Sequence, residues 1–435
     1  MLIFLEQIEI FCICKLNLTN ITKRLDKQTN VVYNSYCYKG SFGLEAFLTK
    51  KLHICNKEID MEALFDNILK ITDPVLFGKQ LAMWAIGGLM IFLAIRKKME
   101  PALLLPMGFG AILMNIPNNS GNPGISETLG ELYEMGISNE LFPLILFIGI
   151  GAMIDFGPIL SNPKLMIFGA AAQFGIFMTL SLASLFFGFK EAASIAIIGA
   201  ADGPTSIVVA TQLAPGLLGP ITVAAYSYMA LVPIVQPLVI KAVTTKKERR
   251  IRMAYKPGSV SKLTRILFPI IVTIIAALIA PGAAALVGFL MFGNLIRECG
   301  VLESLSDTAQ NVLANLITIF LGISVSFTMK ADAFISWGTA LILGLGLFAF
   351  IFDTFGGVML GKIMNLFLPE GKKINPMIGA AGISAFPMSA RIVNKMGLEA
   401  DNQNYLLMHA VGANVSGQVA SVIAGGLILN IFANM

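Results

Sequence analysis

Apolar residues along the chain fall into long runs separated by short polar joints. Segments near 80–95, 101–116, 141–160, 164–188, 217–240, 266–280, 311–328, 338–361 and 404–431 each read as a membrane-spanning helix or part of one. A span needs about 20 mostly apolar residues. Several of these runs are shorter, or are interrupted by Gly and Pro. A further run, 191–212, is interrupted by Gly199, Gly203 and Pro204. The pattern predicts an all-α polytopic membrane protein that mixes complete spans with broken ones.

The pattern also recurs within the chain. Gly130–Gly136 lines up with Gly293–Gly300, LFIGIGAMIDF (146–156) with IFLGISVSFTM (319–329), and IIGAADGPTSI (197–207) with MIGAAGISAFP (377–387). The three matches come in the same order, at offsets of 163, 173 and 180 residues, and suggest a duplication. Repeats in a membrane protein usually place the substrate site at their interface, where helices break near the midplane. Broken backbone is tolerated at that depth only where it is buried in protein or lines a cavity. GAADGPTS (199–206) and GAAGIS (379–384) are such breaks, one per repeat.

Composition sharpens the picture. Of 435 residues, 56% are hydrophobic and 13% charged, whereas a soluble domain is nearer a quarter charged. The net charge of +5 comes from loops, so no nucleic-acid face is expected. Arg96, Lys97 and Lys98 close the first run. Lys241, Lys246, Lys247, Arg249, Arg250, Arg252, Lys256, Lys262 and Arg265 form a denser cluster, with Glu248 alone opposing. The positive-inside rule puts both clusters on the cytoplasmic side, so an even number of crossings separates them. The run 191–212 is therefore expected not to cross fully. The expected organisation is a first membrane repeat over 61–240, a basic cytoplasmic loop over 241–265 and a second repeat over 266–435.

Residues 1–60 read differently. They hold Cys12, Cys14, Cys37 and Cys55, four of the five cysteines, and no proline. Their first stretch lacks the basic flank and small-residue cleavage site of a signal peptide. Cys12-x-Cys14 lacks a second pair at zinc spacing. We expect 1–60 to be an extension without function, with a natural start at Met61.

Candidate chemistry lies in polar residues within apolar sequence. Asp202, in SIAIIGAADGPTSIVVA, would cost about 2.5–3.5 kcal/mol as an unpartnered charge at mid-membrane. It reads as a cation or proton site, and also as the cap of the half-helix opened by Gly203-Pro204. Thr205 and Ser206 add hydroxyl oxygens. In the second repeat Ser384 supplies an uncharged oxygen. Arg391 is a permanent cation that either snorkels to the interface or meets a carboxylate. Asn414, Ser416 and Gln418 recur too often for a lipid-facing surface, and His409 reads as a structural hydrogen-bonder. Tyr226 and Tyr228 place hydroxyls inside a span. Asp155 and Asp353 are of second rank. One carboxylate among oxygen donors suits a hard monovalent cation better than a transition metal.

GAADGPTS (199–206), AYSYMALVPIVQP (225–237), NPMIGAAGISAFPMSAR (375–391) and HAVGANVSGQVAS (409–421) resemble the β subunit of the sodium-translocating biotin-dependent decarboxylases, from about Met61 to the end. The resemblance implies two inverted-topology repeats with re-entrant segments, forming a scaffold and a mobile core, with trimeric β subunits. It implies decarboxylation of carboxybiotin presented by a biotin-carrier/carboxyltransferase subunit, coupled to Na+ export, with a proton consumed. A small single-span membrane subunit completes the expected assembly, in a bacterial cell membrane. The resemblance makes Asp202 a Na+ ligand, Ser384 an ion ligand or proton relay, and Arg391 the contact for the carboxybiotin carboxylate. Asn375, Gly379, Tyr228 and Asn414 also fall on family polar positions, with Thr205 beside the carboxylate. The rival class is a Na+-coupled carboxylate carrier or Na+/H+ antiporter, which would also use repeats, broken helices and a buried Asp. The parent acid is not legible here; the stretch 61–80 leans toward the acyl-CoA members.

Overall fold

The structure is a computed structural model describing residues 73–98, 100–117, 124–253 and 260–432. The extension over 1–60 and the start at Met61 lie outside the described residues, as does 254–259 of the basic loop. Among the described residues all regular structure is helical.

Helix α1 (Pro74–Lys97) is capped by Asp73, whose Oδ1 accepts from the amides of Val75 at 2.8 Å and Leu76 at 3.2 Å. Pro74 follows at the first helical position, where its missing N–H costs nothing. Next come α2 (Pro101–Met114) and α3 (Ile125–Tyr133). A π-helical turn, Glu134–Ser138, then leads into α4 (Leu141–Met153), and the α3–α4 pair bends by 57°. Helices α5 (Met166–Ala172) and α6 (Phe174–Ala183) are parted by a turn at Gln173. Short helices α7 (Phe189–Ala196) and α8 (Gly203–Leu213) precede α9 (Leu218–Val243). The stretch containing α9 bends by 66°, between 215–229 and 231–243. Pro233 explains the bend, because it lacks an N–H and its ring crowds the carbonyl of Met229.

The second half begins with α10 (Lys262–Ile279) and α11 (Ala284–Glu298). A second π-helical turn, Thr308–Leu313, leads into α12 (Ala314–Val325). There follow α13 (Trp337–Phe367), the single turn α14 (Met377–Ala380), α15 (Met388–Ala400) and α16 (Leu407–Phe432).

Among the described residues, six stretches are long and apolar enough to cross a membrane: 74–96, 163–183, 262–279, 303–328, 337–367 and 407–432. Counting each bent pair as one span raises this to eight. The run 191–212 resolves into α7 and α8, of 8 and 11 residues. At 1.5 Å per residue neither reaches across a hydrocarbon core of about 30 Å.

The order of elements occurs twice, and so does the packing. Helix α4 lies on α11 and α12 lies on α2; α16 packs on α5 and α9 on α13; α8 meets α16 and α15 meets α9. Small residues allow these approaches. A Cβ on Gly151 would fall 1.8 Å from the Leu290 oxygen, and one on Gly293 would fall 2.0 Å from the Ile148 oxygen. At the counterpart seam, a Cβ on Gly110 would fall 2.3 Å from Ser326 Oγ. Each seam is also tied by a buried asparagine. Asn294 Nδ2 donates to the Ile154 oxygen at 2.9 Å, and Asn115 Nδ2 to the Met329 oxygen at 2.8 Å. Of the three sequence matches, 130–136 with 293–300 joins elements at different places in this order. The first lies on α3 and its π turn, the second at the end of α11, before the second π turn.

Candidate functional site

The first break forms because α7 tightens into a 3-10 turn at Ile197–Ala200, Ala201 turns left-handed at φ 52°, and Asp202 is extended. Gly203 and Pro204 then open α8, leaving Asp202 at its N-cap position. Asp202 is 3% exposed. Its Oδ2 accepts from Thr205 Oγ at 2.6 Å and from Ser421 Oγ at 3.1 Å, while Ser206 Oγ donates to the Asp202 main-chain oxygen at 2.9 Å. The carboxylate is therefore held by hydroxyl groups from α8 and α16. Asp202 thus occupies the N-cap position expected from sequence, although its side chain makes no capping hydrogen bond to α8.

The second break follows α14. Ser384 is fully buried, its Oγ donates to the Gly417 oxygen at 3.1 Å, and its amide donates to the Ala200 oxygen at 3.3 Å. The two broken turns thus touch through main chain. Helix α16 runs past both. Asn414, Gln418 and Ser421 stand at i, i+4 and i+7, on one face of it. Asn414 Nδ2 donates to the Ile383 oxygen at 2.6 Å, Gln418 Nε2 donates to the Ser384 oxygen, and Ser421 reaches Asp202. These amide nitrogens are spent on the second turn, but Asn414 Oδ1 and Gln418 Oε1 are buried and have no hydrogen-bond partner. The Tyr226 hydroxyl is likewise unpartnered, and a Cβ on Gly203 would lie 2.5 Å from it.

Asp202, Thr205, Ser384 and Asn414 therefore lie on the two touching turns and on the α8 and α16 segments bonded to them. The other candidates lie elsewhere. Asn375 is fully buried, and its Nδ2 donates to the oxygens of Arg249 at 3.0 Å and Ile251 at 2.9 Å, pinning the basic loop. Gly379 serves close packing: its Cβ would fall 1.9 Å from the Gly357 oxygen on α13. The Tyr228 hydroxyl donates to the Leu343 oxygen, at the α9–α13 seam. His409 is buried and hydrogen-bonded to the Met253 main chain. Arg391 is exposed and lines a cavity of about 460 Å³ with Asn394, Lys395, Leu398, Glu399 and Leu407. Ser421 was not singled out from sequence, although its helical spacing from Asn414 and Gln418 carries the signal; Tyr226 was legible as a hydroxyl inside a span.

What this arrangement can hold follows from its donors. The carboxylate, the hydroxyl oxygens and the two unpartnered amide oxygens along this junction are all oxygen donors, the kind a hard cation prefers. Among the described residues no group of three or more His, Cys, Asp or Glu is placed to hold a metal.

Comparison with known proteins adds to this geometry. The family model described as the Na+-transporting oxaloacetate decarboxylase beta subunit matches residues 79–432. The methylmalonyl-CoA decarboxylase subunit beta of Veillonella parvula is 50% identical over 353 residues, covering 81% of this chain and 93% of the relative. The glutaconyl-CoA decarboxylase subunit beta of Acidaminococcus fermentans is 48% identical over 351 residues, covering 80% and 92%. The oxaloacetate decarboxylase beta chain of Klebsiella pneumoniae is 45% identical over 411 residues, covering 80% and 94%.

Proposed function

Because the chain belongs to the family of Na+-transporting decarboxylase β subunits, we propose that its Asp202 cluster is the Na+ site of a decarboxylation-driven pump. As a membrane-embedded subunit of that family, it would release CO2 from a carboxybiotin group carried by a partner subunit and export Na+. The observation that carries this reading is the buried set around the touching turns. Asp202, Thr205 and Ser384 provide oxygens there, and Asn414 offers a carbonyl oxygen with no partner.

The chemistry balances with one proton. Carboxybiotin bears a carboxylate on a ring nitrogen. Protonation of that nitrogen breaks the N–C bond and yields biotin and CO2. A cation beside Asp202 favours its ionised form, so Na+ and H+ compete for the site. Na+ entering at Asp202 would send a proton toward carboxybiotin. Coupling requires that the site open to one side at a time. Arg391 would receive the carboxylate in its cavity, and the exposed Lys395, one turn on along α15, adds a second cation there. Asn375, Gly379 and Tyr228 would act by positioning: Asn375 and Gly379 fix the approach to the second turn, and Tyr228 ties α9 to α13.

The twofold element order and packing support a two-repeat organisation, with 61–240 and 266–435 as inverted halves around the basic loop. The partners would be a biotin-carrier/carboxyltransferase subunit and a small single-span subunit, and the β subunits would form a trimer.

The test is the reconstituted complex in sealed vesicles. Asp202→Asn is expected to abolish both Na+-dependent decarboxylation and Na+ uptake, and avidin is expected to block transport in the parent complex. Normal turnover and pumping in Asp202→Asn would overturn the assignment, as would avidin-insensitive transport.

A further inference from the structure

Asp353 belongs to none of the groups above. It sits in α13 with no exposed surface. Neither carboxyl oxygen has a hydrogen-bond partner at bonding geometry, and no ion pair is made to it among the described residues. The oxygens press against the main chain of two glycines instead. A Cβ on Gly175 would lie 2.3 Å from Oδ1, and a Cβ on Gly199 would lie 2.7 Å from Oδ2. Any other residue at either position would displace the carboxyl group. The amides of Gly175 and Ile176, in the first turn of α6, approach it, and that of Ile176 donates to the Gln173 oxygen at 3.1 Å. Gly199 lies in the 3-10 turn that leads to Asp202, so Asp353 backs onto the turn that carries the candidate ion site.

An ionised carboxylate in this position would be a buried charge with no counter-ion, and such groups take up a proton or a cation instead. Among the described residues no side-chain cation is available. Helix α13 packs against α5, α6, α7, α9, α14 and the Ile197–Ala200 turn. The ionisable groups on these elements are Tyr226, Tyr228 and Lys241 on α9, and Lys190 and Glu191 on α7, with Asp202 just beyond the turn. Lys190 and Lys241 are exposed, and Glu191 is turned back to the Gly188 amide. On α13 itself, Lys362 is engaged with the Val243 oxygen and with Glu248.

We infer that Asp353 is a second exchangeable-cation position, separate from Asp202, and that it binds a proton as a neutral carboxylic acid against the reverse side of the Gly199 turn. Loss of that proton would leave an anion against Gly199, three residues before Asp202 in sequence. The charge at one carboxyl would then be felt at the other.

Infrared spectroscopy of the purified full-length protein, without Na+ and without turnover, tests this. Incorporating isotope-labelled aspartate is expected to shift a carbonyl-stretch band of a protonated carboxylic acid. One such band is expected to be lost in Asp353→Asn and kept in Asp202→Asn, whereas Asp202, protonated where Na+ is absent, contributes a band of its own. Asp353→Glu, which keeps the acid, is expected to move the band out of the aspartate-labelled set, and it serves if Asp353→Asn does not fold. No shifted band in the parent protein, or labelled bands that are all unchanged by both Asp353 substitutions, would overturn the proposal. The readout needs neither Na+ nor carboxybiotin, so it stands or falls separately from the Asp202 assignment.

Discussion

The main-chain amide of Ser384 donates to the carbonyl oxygen of Ala200 across 3.3 Å, so the two glycine-broken turns are bonded to each other. Helix α16 spans the junction, with Ser421 on Asp202 and Gln418 on Ser384. A change on α16 should therefore be read at both turns.

Ser421→Ala tests that reading at Asp202. It removes one of the two hydroxyl donors on Oδ2 and leaves Thr205 in place. A hydrogen bond to a charged group contributes about 1.5–3 kcal/mol. The Na+ concentration giving half-maximal decarboxylation should rise by about tenfold or more, with the protein still folded. A Na+ titration of the reconstituted complex measures this.

The glycine seams make a stability prediction. Gly151→Ala and Gly293→Ala each drive a methyl into a main-chain oxygen of the facing helix, and overpacking of this kind costs about 1–3 kcal/mol. Gly78→Ala in α1 meets nothing within 4 Å and should leave stability unchanged or slightly raised. Thermal unfolding midpoints of the three purified variants decide it.

Asn375→Ala should act at the basic loop. The substitution strips the Arg249 and Ile251 oxygens of their Asn375 donor. We expect faster trypsin cleavage at Arg249, Arg250 and Arg252, compared with the parent protein under the same conditions. Unchanged cleavage would show that Asn404, which also donates to the Arg249 oxygen at 2.9 Å, holds the loop alone.

The surface pair Arg252–Asp401 carries a pH dependence. Arg252 Nε donates to Asp401 Oδ2 at 2.6 Å and Nη2 donates to Oδ1 at 2.9 Å, holding the Asp401 carboxyl below the usual aspartate range. A lowered folded pKa gives stability that is present above the ordinary value near 3.8 and is lost as pH falls through the folded value. Asp401→Asn should thus unfold at lower temperature than the parent above about pH 4, with the difference closing below it. The gap should be small and should shrink in salt, because the pair is solvent-exposed.

Much of the site was legible because a membrane makes polar residues conspicuous. Asp202, Ser384 and Asn414 stand out as polar positions in apolar runs, and Gly-rich breaks mark where backbone is free. Which face a residue takes was not legible. Tyr226 and Tyr228 differ by two positions on α9; Tyr226 meets Gly203, while Tyr228 turns to α13. Arg391 read as a cation at membrane depth or at the interface, and it lies exposed at a cavity. Asp353 was visible in its apolar run, but the glycines that receive it are more than 150 positions away in sequence. Asp155, of second rank in the sequence, accepts the Gly157 amide at 2.8 Å and faces Arg265 at 3.8 Å, as a loop residue does.

The reciprocal seating of Gly151 and Gly293 limits how the molecule can move. With a carbonyl oxygen of each helix lodged against the other's glycine, a slide of even one residue, about 1.5 Å, would bring Cβ atoms onto those oxygens. Helices α4 and α11 therefore have a single meshed register, like two gear teeth with no free play. They can rotate as one body but cannot ratchet past each other.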